Sequence, residues 1–98
     1  MEYQLREYNV KPGELTAFME EWKAKIVPLR KKFGFKVVGA WFAQEENKFV
    51  WILGWDGPPG SFKEADAKYA STPARKSIDP NPARHLAHIR EMVMAAAL

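Results

Sequence analysis

Apolar and polar residues along this chain follow two different periods, and the switches between them mark its elements. The most informative stretch is Phe35–Gly57, which holds two runs rich in aromatic and β-branched residues, Phe35–Gln44 and Lys48–Gly57, around a polar break at Glu45-Glu46-Asn47. Two such runs joined by a short polar link predict an antiparallel hairpin. Both faces of both runs are largely apolar, whereas a hairpin wetted on one side alternates apolar and polar residues. The pattern therefore predicts burial on both sides, one face under helices and the other against a second copy of the chain. Gly39 and Gly54 lie inside the runs, and glycine in a strand predicts close approach of a backbone, ring or helix.

Upstream, Tyr3–Val10 reads as a strand, with Tyr3, Leu5, Glu7 and Asn9 on one face and Gln4, Arg6, Tyr8 and Val10 on the other. Arg6 and Glu7 thus point to opposite faces. Pro12 fits the first turn of a helix, where its missing N–H costs nothing, and the helix is predicted to run to about Phe33. Leu15, Phe18, Met19, Trp22, Ile26, Leu29 and Phe33 recur at the helical period. Pro28 predicts a kink, and Gly34 supplies the left-handed residue that ends the helix.

Downstream, Asp56-Gly57-Pro58-Pro59-Gly60 is a turn cluster. Ser61 and Glu64 have the spacing of a capping box and open a second helix carrying Phe62, Ala65 and Tyr69 on one face, which Pro73 ends. Thr72–Pro82 reads as a connector with room for a helical turn at Ala74–Ser77. The tail fits a helix or a strand. A brief helical turn at Ala83–His88 followed by a strand at Ile89–Ala96 is favoured, because it completes a βαββαβ split unit around a four-stranded antiparallel sheet.

Composition narrows the function classes. A chain of 98 residues predicts one domain. No apolar run is long enough for a membrane span, and Met1-Glu-Tyr-Gln-Leu5 lacks the pattern of a signal peptide, so no membrane partner is expected. With no cysteine there is no disulfide, thiol catalysis or thiolate metal site, and the expected location is cytoplasmic. The net charge of +3 is mild. Its densest basic runs, Arg30-Lys31-Lys32 with Lys36 and Arg75-Lys76, read as solvated ends of elements rather than a nucleic-acid stripe.

Tyr3-Gln-Leu-Arg-Glu-Tyr-Asn-Val-Lys-Pro-Gly13 resembles the opening of NIPSNAP-type domains. Phe18, Trp22, Pro28-Leu29-Arg30, Gly34, Gly39-Ala40-Trp41 and the strand from Asn47 to Asp56 are similar to that family in order and spacing, over about Tyr3 to Pro82. The resemblance implies a dimeric α+β barrel, in which two four-stranded sheets pair across a two-fold axis with helices on their outer sides. The wider superfamily includes cofactor-independent oxygenases, haem-degrading enzymes and proteins of unknown role, so it implies no single reaction. Where the family pattern has a histidine in the second hairpin strand, this chain has Trp51, and chemistry that depends on that imidazole is not implied here.

Candidate chemistry is sparse. By parity Trp41, Trp51 and Trp55 are expected to share a face of the sheet with Arg6 and Tyr8. They would line a small aromatic cavity inside the dimer barrel, with one cation and one phenol to orient an apolar ligand; rings at strand spacing equally serve as packing. His85, His88 and Glu91 form a metal-capable stripe only if the tail is helical. Asn9, with a tryptophan and a histidine elsewhere, loosely resembles the haem-degrading set. No phosphate loop, nucleophile elbow or carboxylate pair is present, and no cofactor is expected. Two functions fit: a homodimeric module binding a small apolar ligand, or a cofactor-independent oxygenase or isomerase acting on a small aromatic compound.

Overall fold

The computed structural model describes residues Met1–Leu98. Strand β1 (Glu2–Val10) leads into helix α1 (Leu15–Glu21), a π-helical turn (Trp22–Ile26) and helix α2 (Val27–Lys32). Strands β2 (Lys36–Ala43) and β3 (Lys48–Trp55) form the hairpin. Helix α3 (Phe62–Ser71), the single turn α4 (Pro73–Lys76) and a 3₁₀ turn (Pro82–His85) precede the last strand, β4 (Leu86–Ala95). The four strands make one antiparallel sheet in the order β2-β3-β1-β4. This is the ferredoxin-like βαββαβ arrangement, with β1 at the centre.

The first helical segment departs from expectation in two ways. Pro12 and Gly13 form a turn, with Gly13 at φ 80°, and the helix opens at Leu15. The break near Pro28 is a π turn one step upstream, closed by the Val27 N–H donating to the Trp22 carbonyl. Pro28 has no N–H to continue the ladder, and widening the preceding turn accommodates that loss. The extra residue in the turn rotates everything after it about the helix axis. The buried stripe therefore runs Leu15, Phe18, Trp22, Ile26, Arg30, while Phe33, expected inside, is 36% exposed. Gly34 takes the left-handed conformation, φ 92°, as expected.

Sheet register decides which residues meet the helices. Gln4, Arg6, Tyr8 and Val10 of β1 face them, opposite Leu53, Trp51 and Phe49 of β3. Trp22 locks this layer from above, its ring edge-on to Phe49 at 4.8 Å and to Trp51 at 5.2 Å. Phe35, Phe62 and Tyr69 close the other end of the core. The tail strand begins three residues earlier than expected, at Leu86. Strand β1 extends to Val10, which pairs with Leu86 beyond a bulge, and the Lys11 N–H donates to the His85 carbonyl at 2.8 Å.

The other face of the sheet carries Tyr3, Leu5, Val50, Ile52, Met92 and Met94, together with Trp41. No segment of the chain covers it: Trp41 is 56% exposed and Met92 42%. Val38 lies on the same side, with Cγ2 3.5 Å from where a side chain on Gly54 would begin. Gly39 lacks a side chain because the Trp41 ring lies across it; a Cβ there would sit 2.6 Å from the indole.

Two polar clusters tie loops to the core. Helix α3 opens without the expected capping box. Ser61 Oγ accepts a bond from Trp55 Nε1 at 3.0 Å and donates to the Pro58 carbonyl, while the Phe62 N–H donates to Glu2 Oε1 at 3.0 Å. A carboxylate from β1 thus caps the helix, which no local spacing could reveal. Near the 3₁₀ turn, buried His85 has Nδ1 2.7 Å from Glu14 Oε1 and Nε2 3.1 Å from Glu21 Oε2. Arg84 donates to both Glu21 oxygens, at 2.7 and 2.8 Å. The Arg84 hydrogen bond, with help from His85, holds the Glu21 carboxyl down at about 2.

Replacing Glu2 with Ala is expected to cost about 1 kcal/mol in urea unfolding, the worth of a helix cap. Glu64→Ala, which removes only an exposed pair with Lys68, should shift stability by less than about 0.5 kcal/mol. Equal losses in the two variants would refute the cross-strand cap. For Glu21 the unfolded carboxyl titrates near 4.5 and the folded one near 2, so its contribution is whole above pH 4.5 and is lost as the pH falls toward 2. The urea midpoint should fall across that window, and fall less steeply in Glu21→Gln. A Glu21→Gln profile parallel to that of the parent chain would remove this role.

Candidate functional site

The sheet and the helices do not close completely on each other. A hollow of about 120 Å³ lies between them, lined by thirteen residues that include Arg6, Tyr8, Trp22, Arg30, Trp51 and Tyr69, with Arg75, Pro82, Ala83, Leu86 and Ile89 from the later part of the chain. Its floor is set by strand parity: Arg6 pairs with Trp51 and Tyr8 with Phe49 and Ile89. Its roof comes from the buried helical stripe, Phe18, Trp22, Ile26 and Arg30. The 3₁₀ turn and the start of β4 supply the side wall.

Three arginines line this space and no acidic residue does. Arg6 is held firmly: Nε donates to Gln4 Oε1 at 2.6 Å, Nη2 to both oxygens of Asp66 at 3.0 and 3.1 Å, and Nη1 lies 3.1 Å from Glu91 Oε2. Burial works against its charge, but Tyr8, Asp66 and Glu91 together outweigh that, and its pKa is raised. Arg30 shares the same carboxylate, with Nη1 2.8 Å from Asp66 Oδ1. Its guanidinium lies 3.9 Å from the Tyr69 ring centre and 4.7 Å from that of Phe35, a stacking for which a planar cation is suited. Burial, and then the like charge of Arg6, lower the Arg30 pKa.

The phenols differ. Tyr8 Oη accepts a bond from Trp51 Nε1 at 3.0 Å, so its own proton is free to donate elsewhere. Tyr69 Oη has no hydrogen-bond partner, and burial raises its pKa against the opposing effect of Arg30. Trp22 Nε1 and Arg30 Nε are also buried without a partner, and Arg30 Nη1, although close to Asp66, makes no aligned hydrogen bond. Buried polar groups are ordinarily satisfied. Here every orphan is a potential donor on a residue that lines the hollow.

The sequence-derived set is therefore only partly assembled. Arg6, Tyr8 and Trp51 come together on the helix-facing side. Trp41 does not join them: it pairs with Val50 and occupies the opposite face. The hairpin turn holds four residues between Ala43 and Lys48, which sets odd positions of β2 against even positions of β3, so Trp41 and Trp51 cannot share a side. Trp55 does share the helix-facing side but sits at the far end of the sheet, its ring tilted against Phe35 at 4.9 Å and bonded to Ser61. It lines a separate groove of about 680 Å³ with Phe33 and α3; Tyr69 borders both spaces.

The hollow is also enclosed differently from the expectation. It is formed within one chain between sheet and helices, not on the face that paired sheets would cover. The histidine stripe does not form: His85 is buried in the 3₁₀ turn against Glu14 and Glu21, whereas His88 belongs to β4 opposite Asn9. Three residues were missed as site components. Arg30 and Arg75 read as solvated helix ends, and Tyr69 as plain packing. The available signal for Arg30 was its place four residues after Ile26 and eight after Trp22, which the regular apolar stripe through Leu29 and Phe33 concealed.

Comparison with known proteins places this geometry. No curated protein matches the sequence. The solved structure of an uncharacterised NIPSNAP domain protein from Burkholderia xenovorans superposes with a TM-score of 0.84 at 16% identity, covering 99% of this chain and 95% of that one. A NIPSNAP family protein of unknown function from Agrobacterium tumefaciens gives 0.82 at 21% identity, covering 96% and 86%. An antibiotic biosynthesis monooxygenase shares the fold more distantly, with a TM-score of 0.71 at 15% identity over the whole of both chains. The NIPSNAP family model matches residues 3–96, and with nearly its whole length so matched, the chain belongs to the NIPSNAP family.

Proposed function

We propose that this protein is a homodimer in which each subunit binds one small, largely apolar or aromatic molecule between its sheet and its helices, with Arg6, Tyr8 and Trp51 among the binding residues. The observation that carries this reading is the hollow itself, which combines aromatic walls with buried polar atoms left without partners. A space that served packing alone would be filled, or its polar groups paired. Ligand sites combine an apolar lining with a few fixed polar groups in this way. The dimer is supported by the uncovered sheet face. Trp41, Val38 and Met92 are each more than 40% exposed and lie beside a further row of half-buried apolar residues, a patch of the kind that marks an interaction surface. Two such faces stacked about 10 Å apart would bury each other.

Light scattering of the pure chain should give about twice its 11.2 kDa mass. Trp41→Glu, which places a charge on the uncovered face, should shift it toward one chain. A parent protein that is monomeric at micromolar concentration would overturn the assembly. A series of small ring compounds should perturb the indole N–H resonances of Trp22 and Trp51 in the nitrogen-15 spectrum. Indole resonances unmoved by every ring tested would show that the hollow takes no such ligand.

The alternative is a cofactor-independent oxygenase or isomerase acting on a small aromatic compound. The observation favouring it is the Trp51–Tyr8 hydrogen bond beside Arg6, which leaves the phenol proton free to be given to a bound oxygen atom. The fold shared with the antibiotic biosynthesis monooxygenase is compatible with it. In an oxygenase acting on a quinol the substrate itself would supply all four electrons that O₂ takes up, one oxygen atom entering the ring as it becomes a hydroxyquinone and the other leaving as water. Oxygen uptake with small quinols should then exceed that of buffer and fall about a hundredfold or more in Tyr8→Phe, the lower bound for loss of a general acid. Uptake equal in the two proteins would exclude this chemistry.

A further inference from the structure

We infer that the molecule taken into the hollow is an anion, a small unsaturated or aromatic acid whose carboxylate is received by Arg30 and Tyr69 while its ring lies against Trp22 and Trp51. This inference rests on the hollow being a ligand site and assigns the chemical class of the ligand. Four features of the lining converge on it.

The first is charge. Arg6, Arg30 and Arg75 line the space, yet only Asp66 and Glu91 stand against them, and both are engaged with Arg6. Asp66 is divided between two guanidinium groups, and Arg75 has only the neutral Asn81 side chain as a partner, at 3.2 Å. One positive charge is left over, next to a lining with no carboxylate of its own.

The second is direction. The buried atoms without any partner are Arg30 Nε, Tyr69 Oη and Trp22 Nε1, and Arg30 Nη1 has only the misaligned contact with Asp66. The three residues are 3–6% exposed, so bulk water does not satisfy them. Tyr8 has a proton to spare because its oxygen already accepts from Trp51. Each of these groups can donate, and a carboxylate is acceptor-only, with about four lone-pair sites. Charge-assisted bonds of this kind are roughly twice as strong as neutral ones, and leaving buried donors unmade carries its own penalty.

The third is position. Arg30 is the one helical residue that the π turn rotates into the core, and rings stack on it at 3.9 and 4.7 Å. The two ring centres are 5.9 Å apart and lie nearly at right angles about the guanidinium, so they close off part of it and leave an anion only the side they do not cover. The fourth is size. A closed apolar cavity of roughly 150 Å³ admits benzene; the hollow, at about 120 Å³, is smaller but open on one side, so it suits a short unsaturated acid, or a single-ring acid with part of the ring at its mouth. A neutral hydrocarbon would leave the donors unpaired, and a cation would meet the surplus positive charge.

The test uses three probes of one shape, benzene, benzamide and benzoate, titrated at pH 7 into the nitrogen-15-labelled protein, with the Trp22 and Trp51 indole resonances as readout. Benzoate should bind roughly tenfold or more tightly than benzamide, the scale of one charge-assisted contact. Tyr69→Phe keeps the stacking ring and removes one donor, and Arg75→Gln removes charge from a partly exposed residue. Each should reduce the benzoate preference several-fold while leaving benzene binding and the circular dichroism spectrum unchanged. Benzamide or benzene binding as well as benzoate would overturn the anion assignment and leave the hollow as an apolar site. An unchanged preference in both variants would overturn the assigned receptor groups. Failure of all three probes to move either indole would overturn the ligand site and this inference together.

Discussion

One carboxylate organises the interior. Asp66, on α3, meets Arg6 of β1 and Arg30 of α2, at 3.0 and 2.8 Å. Burying a guanidinium costs several kcal/mol unless it is paired; Asp66 is the one anion that meets Arg30, and it joins Glu91 in pairing Arg6. The three residues come from positions 6, 30 and 66 and fix β1, α2 and α3 relative to one another in a way that apolar packing, which is tolerant of direction, does not. Sharing a single carboxylate between two cations also leaves Arg30 incompletely satisfied. The contact that holds the layers together is the same one that leaves spare donor capacity beside the hollow.

The two faces of the sheet follow opposite strategies. Against the helices, large rings interlock at 4.8–5.2 Å in edge-on geometries, and polar atoms are few and individually placed. On the other side the residues are apolar but flat to solvent, with Trp41 folded across Gly39. The first face is specific in detail and encloses a small volume; the second offers area. The hairpin reads as apolar on both sides because one side packs under the helices while the other carries an uncovered apolar row.

Much of the architecture was legible in residue order. The hairpin, Gly34 at the helix end, Gly39 under a ring and the final strand all rest on local signals: β-branched and aromatic runs, a left-handed glycine, and the one strand a split βαββαβ unit still required. The second helix was also legible, although its cap was not, because the capping carboxylate of Glu2 lies sixty residues away. The hollow was half legible. Arg6, Tyr8 and Trp51 share a side by alternation and pairing, whereas Trp41 was misplaced because the parity linking two strands depends on the number of residues in the turn between them.

What the chain's order determined by itself was which segments become strands and helices and which of their positions are apolar, since period and turn chemistry act within a few residues. Tertiary structure alone decided that Arg30 enters the core in place of Phe33, that Trp41 leaves the site, and that Asp66 serves two arginines at once. Each of these depends on a rotation or register that accumulates along an element. One added residue in a π turn swings a whole helical face, and one residue of turn length reverses a strand, while the composition on which a sequence reading relies stays the same.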